Sequence, residues 1–172
     1  MPMRTLILFR HAKAERSAES GLDHDRALTD RGRADAALMG RVLSERGIHP
    51  DLALVSTATR TRQTYETAAE HFGDVEVRHE KRLYNASVPT LRALIEAAEA
   101  DGETVVVVAL NPGLHELSLD LLTEGAASHG DVDKVARGFP TGTCAVFTFD
   151  EAMRPTFDAL FTPKAFGGGA DE

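Results

Sequence analysis

The run Thr104-Val105-Val106-Val107-Val108-Ala109 constrains the fold more than any other segment of the chain. Its apolar residues do not alternate with polar ones, and its four valines are β-branched, which suits an extended backbone and crowds a helix. A strand with one wet face alternates. A run apolar on both faces needs cover on both, as in the central strand of a parallel sheet. The rest of the chain therefore has to supply two layers of helix.

Those helices are legible. From Arg31 to Gly47 the apolar positions Ala34, Leu38 and Val42 recur at helical spacing, with Thr29 or Asp30 as candidate N-caps and Gly47 as the stop. A helical stretch runs from about Arg60 to Phe72, after a polar turn at Ser56 to Thr59. Leu91, Leu94, Ile95 and Ala98 follow the i, i+3, i+4, i+7 pattern, closed by Gly102. After the valine strand, Leu114, Leu117 and Leu121 mark another helix, with Asn111 as its cap and Pro112 suited to its first position. Further strands are predicted at Thr5 to Phe9, Asp51 to Val55, Val75 to Arg78, Cys144 to Phe149 and Thr156 to Phe161. The stretch 125–142 reads as a Gly- and Asp-containing loop. Strands alternating with helices predict an α/β fold, a three-layer α/β/α sandwich around a mostly parallel sheet. We expect one domain over 1–165 and a flexible glycine-rich tail over 166–172.

Charge and cysteine content narrow the function. With 19 Lys+Arg against 27 Asp+Glu, the net charge of -8 repels polyanions unless cations gather in one pocket, so nucleic acid is not an expected partner. The single cysteine, Cys144, cannot close an internal disulfide and reads as a small buried apolar side chain. Leu6-Ile7-Leu8-Phe9 is too short for a signal-peptide core or a membrane span, so we expect a cytoplasmic chain with no membrane partner.

Three segments each follow a predicted strand, and in an open α/β sheet such segments converge at one edge. They are Arg10-His11, Ser56 to Thr64, and Leu110 to Gly113. A neutral imidazole can attack phosphorus while a neighbouring guanidinium holds the phosphoryl oxygens. Arg60 opens a helix, where the dipole and free N–H groups already favour an anion. Arg62 lies roughly 200° around that helix and is expected in solvent instead.

The ordered set Leu8-Phe9-Arg10-His11-Ala12-Lys13-Ala14, Asp25-Arg26-Ala27-Leu28-Thr29-Asp30-Arg31-Gly32, Pro50-Asp51-Leu52, Ser56 with Arg60, Gln63-Thr64, Arg82-Leu83-Tyr84, Asn111-Pro112-Gly113 and Phe139-Pro140-Thr141 resembles the histidine phosphatase superfamily, in its SixA-like phosphohistidine phosphatase branch. The resemblance spans nearly the whole chain and implies a phosphoglycerate mutase-like fold. It also implies phosphoryl transfer with no metal and no cofactor, in which His11 becomes phosphorylated before water releases phosphate. Arg10 and Arg60 match the arginines of the phosphate pocket. Arg26 falls in a motif near it, and Asn111 is placed with these three among the substrate-binding groups. The implied partner is a phosphorylated protein or a small phosphate ester.

One position departs from that pattern. Members usually carry Gly-His-Asn-Pro after the central strand, and this chain reads Ala109-Leu110-Asn111-Pro112. Leu110 neither donates a hydrogen bond nor carries charge, and loss of one such donor costs about 2.7–4 kcal/mol in the transition state. The sequence therefore leaves two readings open: a phosphatase of reduced activity, or a binding module that retains Arg10, His11 and Arg60 without turnover. His115 and His24 are candidate replacements for the missing donor. No carboxylate stands at the plausible general-acid position, where Asn85 follows Tyr84, and Glu80 is the nearest acid. A metal-dependent hydrolase would use Asp23, His24 and Asp25, but adjacent residues seldom converge on one ion. A nucleotide-binding module would need a glycine-rich loop after the first strand, which is missing.

Overall fold

The computed structural model describes residues 2–169. Six strands, β1 (Thr5–Arg10), β2 (Leu52–Ser56), β3 (Glu76–Glu80), β4 (Thr104–Ala109), β5 (Cys144–Phe149) and β6 (Pro155–Phe161), form one sheet in the order β3-β2-β4-β1-β5-β6. The first four strands in that order run parallel, and β5 and β6 close the sheet antiparallel. Its parallel part has β4 between β2 and β1, where the valine run requires it.

Each face of the sheet has its own core. Val106 and Val108 join Ile7, Phe9 and Val55 under helices α1 (Asp30–Glu45) and α2 (Thr59–Ala68), through Met39, Leu43 and Tyr65. Val105 and Val107 join Leu6, Leu8 and Leu54 under α3 (Val88–Ala98), α4 (Gly113–Glu124) and α5 (His129–Ala136). All four β4 valines are fully buried, each contributing roughly 1.5–3 kcal/mol of apolar burial. Cys144 lies in the first of these cores, as a small apolar side chain. Among the described residues no helix is long and apolar enough to cross a membrane.

Local signals set the helix ends. The Thr29 side chain accepts from Gly32 N at 2.9 Å and caps α1. At its other end Gly47 takes φ +73°, Gly47 N donates to Ser44 O and Ile48 N to Leu43 O, the paired bonds of a Schellman cap. Asn111 caps α4 through Oδ1, which accepts from His115 N at 3.2 Å, while Pro112 sits at the N-cap rather than in the first helical position.

Two expectations need correction. The loop predicted over 125–142 contains α5, whose Ser128 cap accepts from Asp131 N at 3.1 Å. Its Gly130 and two aspartates read as loop-forming, whereas Val135, fully buried against the second core, supplies the packing that holds the helix. The first residues of the expected tail are also held: Gly168 N donates to Pro163 O at 2.9 Å and Gly169 N to Asp35 Oδ1 at 3.0 Å, while Phe166 packs on Phe161. Residues 170–172 of that segment lie outside the described residues.

Candidate active site

The carboxyl ends of β1 and β4 open into a cleft of about 470 Å³. Arg10 ends β1 and His11 follows it, Leu110 and Asn111 come directly after β4, and Arg60 lies on the first turn of α2. The segment after β1 adds Lys13, Arg16, Asp23 and Arg26, and Asn85 and Thr141 complete the walls. Five cations thus gather in a chain of net charge -8, the condition under which such a chain can bind an anion.

His11 is 7% exposed. Its Nδ1 lies 2.7 Å from Ala12 O, and because a carbonyl only accepts, Nδ1 carries the proton. Burial first, and then the charges of Arg10, Arg60 and Arg26, push the imidazole down to about 4 against the bond to Ala12 O, which favours the cation. At neutral pH His11 is therefore uncharged, with a bare lone pair on Nε2.

The arginines are held from behind. Arg10 Nη1 donates to Phe139 O at 3.0 Å, the same carbonyl that Asn111 Nδ2 reaches at 3.0 Å. Burial and the neighbouring Arg60 lower the Arg10 pKa. Arg60, 4% exposed, donates through Nη1 to Asp23 O at 2.9 Å and through Nη2 to Asp23 Oδ2 at 3.0 Å. Arg26 donates to Asp23 Oδ1 at 2.9 Å and to Glu15 O at 2.7 Å. Tyr84 O–H completes the ring around Asp23, and this bond, followed by those from Arg26 and Arg60, holds the carboxyl well below the usual carboxylate range. Behind the site, Thr64 Oγ1 accepts from Ala12 N at 3.0 Å and donates to Arg60 O at 2.7 Å, tying the residue after the histidine to α2. Gln63 Oε1 accepts from Leu28 N at 2.8 Å and secures the far side of the same segment.

Residues 6–104 match the histidine phosphatase superfamily, branch 1. This chain belongs to that superfamily. The chain is 34% identical over 139 residues to an uncharacterised protein of Mycobacterium tuberculosis strain H37Rv, covering 80% of this chain and 84% of that one. Two solved structures named for the phosphohistidine phosphatase SixA are similar throughout. The one from Agrobacterium tumefaciens has a TM-score of 0.82 at 28% identity, over 94% of this chain and 99% of its own. The one from Nakamurella multipartitia has 0.80 at 33%, over 95% and 99%. The fold is the phosphoglycerate mutase-like α/β sandwich of this superfamily, and the likeness is to its SixA-like branch.

Against that family frame, the cleft brings together all five expected residues: His11, Arg10, Arg60, Arg26 and Asn111. Arg62 points elsewhere, its Nε donating to Thr57 O at 3.1 Å. The candidate replacements for the missing donor do not reach the cleft. His115 Nε2 donates to Val135 O at 2.7 Å with its ring against Phe139, and His24 Nε2 hydrogen-bonds Thr57 Oγ1 at 3.0 Å. Leu110 itself, 5% exposed, forms the wall. Asp23, His24 and Asp25 do not converge, since both Asp23 oxygens are taken by Arg26, Arg60 and Tyr84 while Asp25 accepts from Ser20. Glu80 is occupied by Arg82 and is not among the cleft-lining residues.

Sequence reasoning missed Lys13, Arg16, Thr141 and the anchoring role of Asp23. For the first two a signal existed: Lys13, Arg16 and Arg26 place three cations within fifteen residues of His11 in an acidic chain. Nothing local marks Asp23 as the partner of Arg60, because they are 37 residues apart.

Proposed function

We propose that this chain is a metal-independent phosphatase that works through a phosphohistidine at His11. The observation that carries the reading is the tautomer of His11: uncharged, its proton fixed on Nδ1 by Ala12 O, and its Nε2 lone pair free within a ring of cations. Nε2 attacks phosphorus as the bond from phosphorus to the leaving group breaks, with the electron pair departing on that group. Water then attacks the phosphohistidine, the P–N bond breaks with its electrons returning to Nε2, and the proton lost by water is carried off with the phosphate. Arg10 and Arg60 neutralise the phosphoryl oxygens in both steps, which is most of what phosphoryl transfer asks of a protein. Each also keeps a buried Nε–H without a partner. An unsatisfied buried donor costs about 1–3 kcal/mol, and phosphoryl oxygens are the acceptors that relieve it.

The acids of the cleft point to a substrate class. Its one carboxylate, Asp23, is held deprotonated by Tyr84, Arg26 and Arg60, so it has no proton to give a leaving group. A substrate that needs no enzymic acid suits such a site. Phosphohistidine is one, because its imidazole takes a proton from water and then leaves readily; an alkyl phosphate ester is not. We assign protein phosphohistidine as the preferred substrate, consistent with the names of the two SixA structures, and small phosphate monoesters with good leaving groups as poorer ones. Leu110 in the cleft wall removes one donor and slows turnover, and it is also the observation that favours a binding module over an enzyme.

Phosphate release from a phosphohistidine-bearing carrier protein, measured with chelator present, separates the two. Release that disappears in His11→Ala and ignores chelator, with an alkali-stable phosphohistidine trapped on the chain, is the expected result. Equal release by His11→Ala overturns the assignment, and phosphate or vanadate binding without release makes the chain a binder.

A further inference from the structure

The cleft holds more positive charge than one phosphoryl group uses. Arg10, Lys13, Arg16, Arg26 and Arg60 face a single carboxylate, Asp23, and a phosphoryl group brings about two negative charges. The surplus can be traced to individual residues. Arg10 is engaged by Phe139 O, Arg26 by Glu15 O and Asp23, and Arg60 by Asp23. Lys13, half-buried, and Arg16, exposed at the rim, make no side-chain hydrogen bond or ion pair among the described residues.

The main chain that presents Lys13 is also held firmly. Lys13 O accepts from Thr29 N at 3.0 Å and from Thr29 Oγ1 at 3.3 Å. Gly32 lies so close beneath that a Cβ there would meet Lys13 O at 2.0 Å, so the close approach of α1 to this segment requires glycine. Ala14 pairs antiparallel with Leu28, and Glu15 N donates to Ala27 O at 2.7 Å. Lys13, Ala14 and Arg16 line the cleft and also an adjoining open groove of about 700 Å³. That groove also carries Glu15 and Glu19, so its potential favours an anion only where it joins the cleft, whose lining includes Lys13 and Arg16 but neither glutamate.

We propose that Lys13 and Arg16 form a second anion subsite, which favours a substrate carrying a carboxylate or phosphate close to the phosphoryl group being transferred over one of the same class without it. The proposal rests on the assignment of the transfer site to Arg10, His11 and Arg60. The second anion comes either from a small phosphate ester or from an acidic side chain flanking a phosphorylated residue.

Binding is the first arm of the test: calorimetry of phosphonoacetate, which has two anionic groups, against methylphosphonate, which has one, on the native chain and on the Lys13→Met/Arg16→Gln double variant. The native chain is expected to prefer phosphonoacetate by about tenfold, and the double variant to lose most of that ratio. An unchanged ratio, or an equal loss for both ligands, overturns the subsite. Kinetics then identifies the source, with phosphohistidine peptides flanked by Glu or Gln, and carboxyphenyl phosphates against phenyl phosphate. A Lys13- and Arg16-dependent preference confined to the peptides assigns the anion to the protein substrate, and one confined to the aryl phosphates assigns it to a small ester. Two-anion preference in binding without turnover refutes the phosphatase reading and leaves the subsite standing. Turnover without preference does the reverse.

Discussion

The carboxyl ends of β1 and β4 lie side by side, with Arg10 in register with Ala109, yet they deliver opposite chemistry. At the end of β1 stand an arginine, its last residue, and directly after it an uncharged histidine, each held by a backbone carbonyl. Beyond β4 stands Leu110, apolar and 5% exposed, followed by Asn111, whose amide is spent on Phe139 O and whose carbonyl caps α4. The two strands contribute equally to the sheet, and their valines, leucines and Phe9 fill the same two cores. Architecture therefore does not require a polar group beyond β4. On the proposed function the asymmetry is a catalytic one, with the reacting groups assigned to the β1 end and position and shape to the β4 end.

The largest expected effect comes from removing the loaded end. His11→Ala should lower phosphohistidine turnover at least about a thousandfold, the scale on which loss of a nucleophile acts. A modest loss, measured as kcat/KM on the same carrier protein, would shift the reacting group away from β1. Loading the silent end is the converse experiment. Leu110→His should raise turnover about a hundredfold or more, since the missing donor is worth about 2.7–4 kcal/mol. Equal or lower kcat at saturating substrate would mean that the apolar wall is itself suited to the substrate, and the contrast between the strand ends would no longer describe the catalytic defect.

Arg60 and Arg62 test the comparison one element away. Only the first turns into the cleft, where it is 4% exposed. Arg60→Ala should weaken phosphate binding about ten- to a hundredfold, as expected when a charge-assisted bond is lost, and Arg62→Ala less than about twofold. Calorimetry giving the reverse order would move the pocket arginine around the helix.

What the sequence made legible follows from how local each signal is. The valine run, the Thr29 cap and the Gly47 stop are written in neighbouring residues, and all three reappear in the structure as expected. Arg10, His11 and Arg60 were legible because parallel strands deliver their ends to a common edge. The short helix α5 was not, because its stability comes from burying Val135 against the core rather than from its own Gly- and Asp-containing sequence. His24 and His115 show the same limit from the other side: their types suit the site, but Thr57 Oγ1 and Val135 O take them away from it. Apart from the local i,i+3 pair of Asp23 with Arg26, the ring around Asp23, which brings in Tyr84 and Arg60, is a tertiary arrangement with no trace in spacing.

A pH experiment measures the cost of the loaded end directly. His11 is pushed from 6.5 to about 4 in the folded chain, with burial the leading cause. Between those values the unfolded chain binds a proton that the folded chain refuses, so stability rises with pH across the window. The stabilisation of the neutral imidazole is complete above pH 6.5 and is lost as pH falls toward 4, a change of about 3 kcal/mol at most. Asp23 is depressed below the normal carboxylate range, so its contribution fades only at lower pH and does not share this window. Urea unfolding of the native chain should therefore become easier between pH 7 and pH 5, and His11→Ala should flatten that slope. Activity should move differently. Because Nε2 stays unprotonated down to about pH 4, kcat/KM should persist at pH 5, where an ordinary histidine would already be charged. A fall in kcat/KM centred near 6.5 would show that His11 is solvated like a surface histidine, and would remove the physical basis for distinguishing the β1 end from the β4 end.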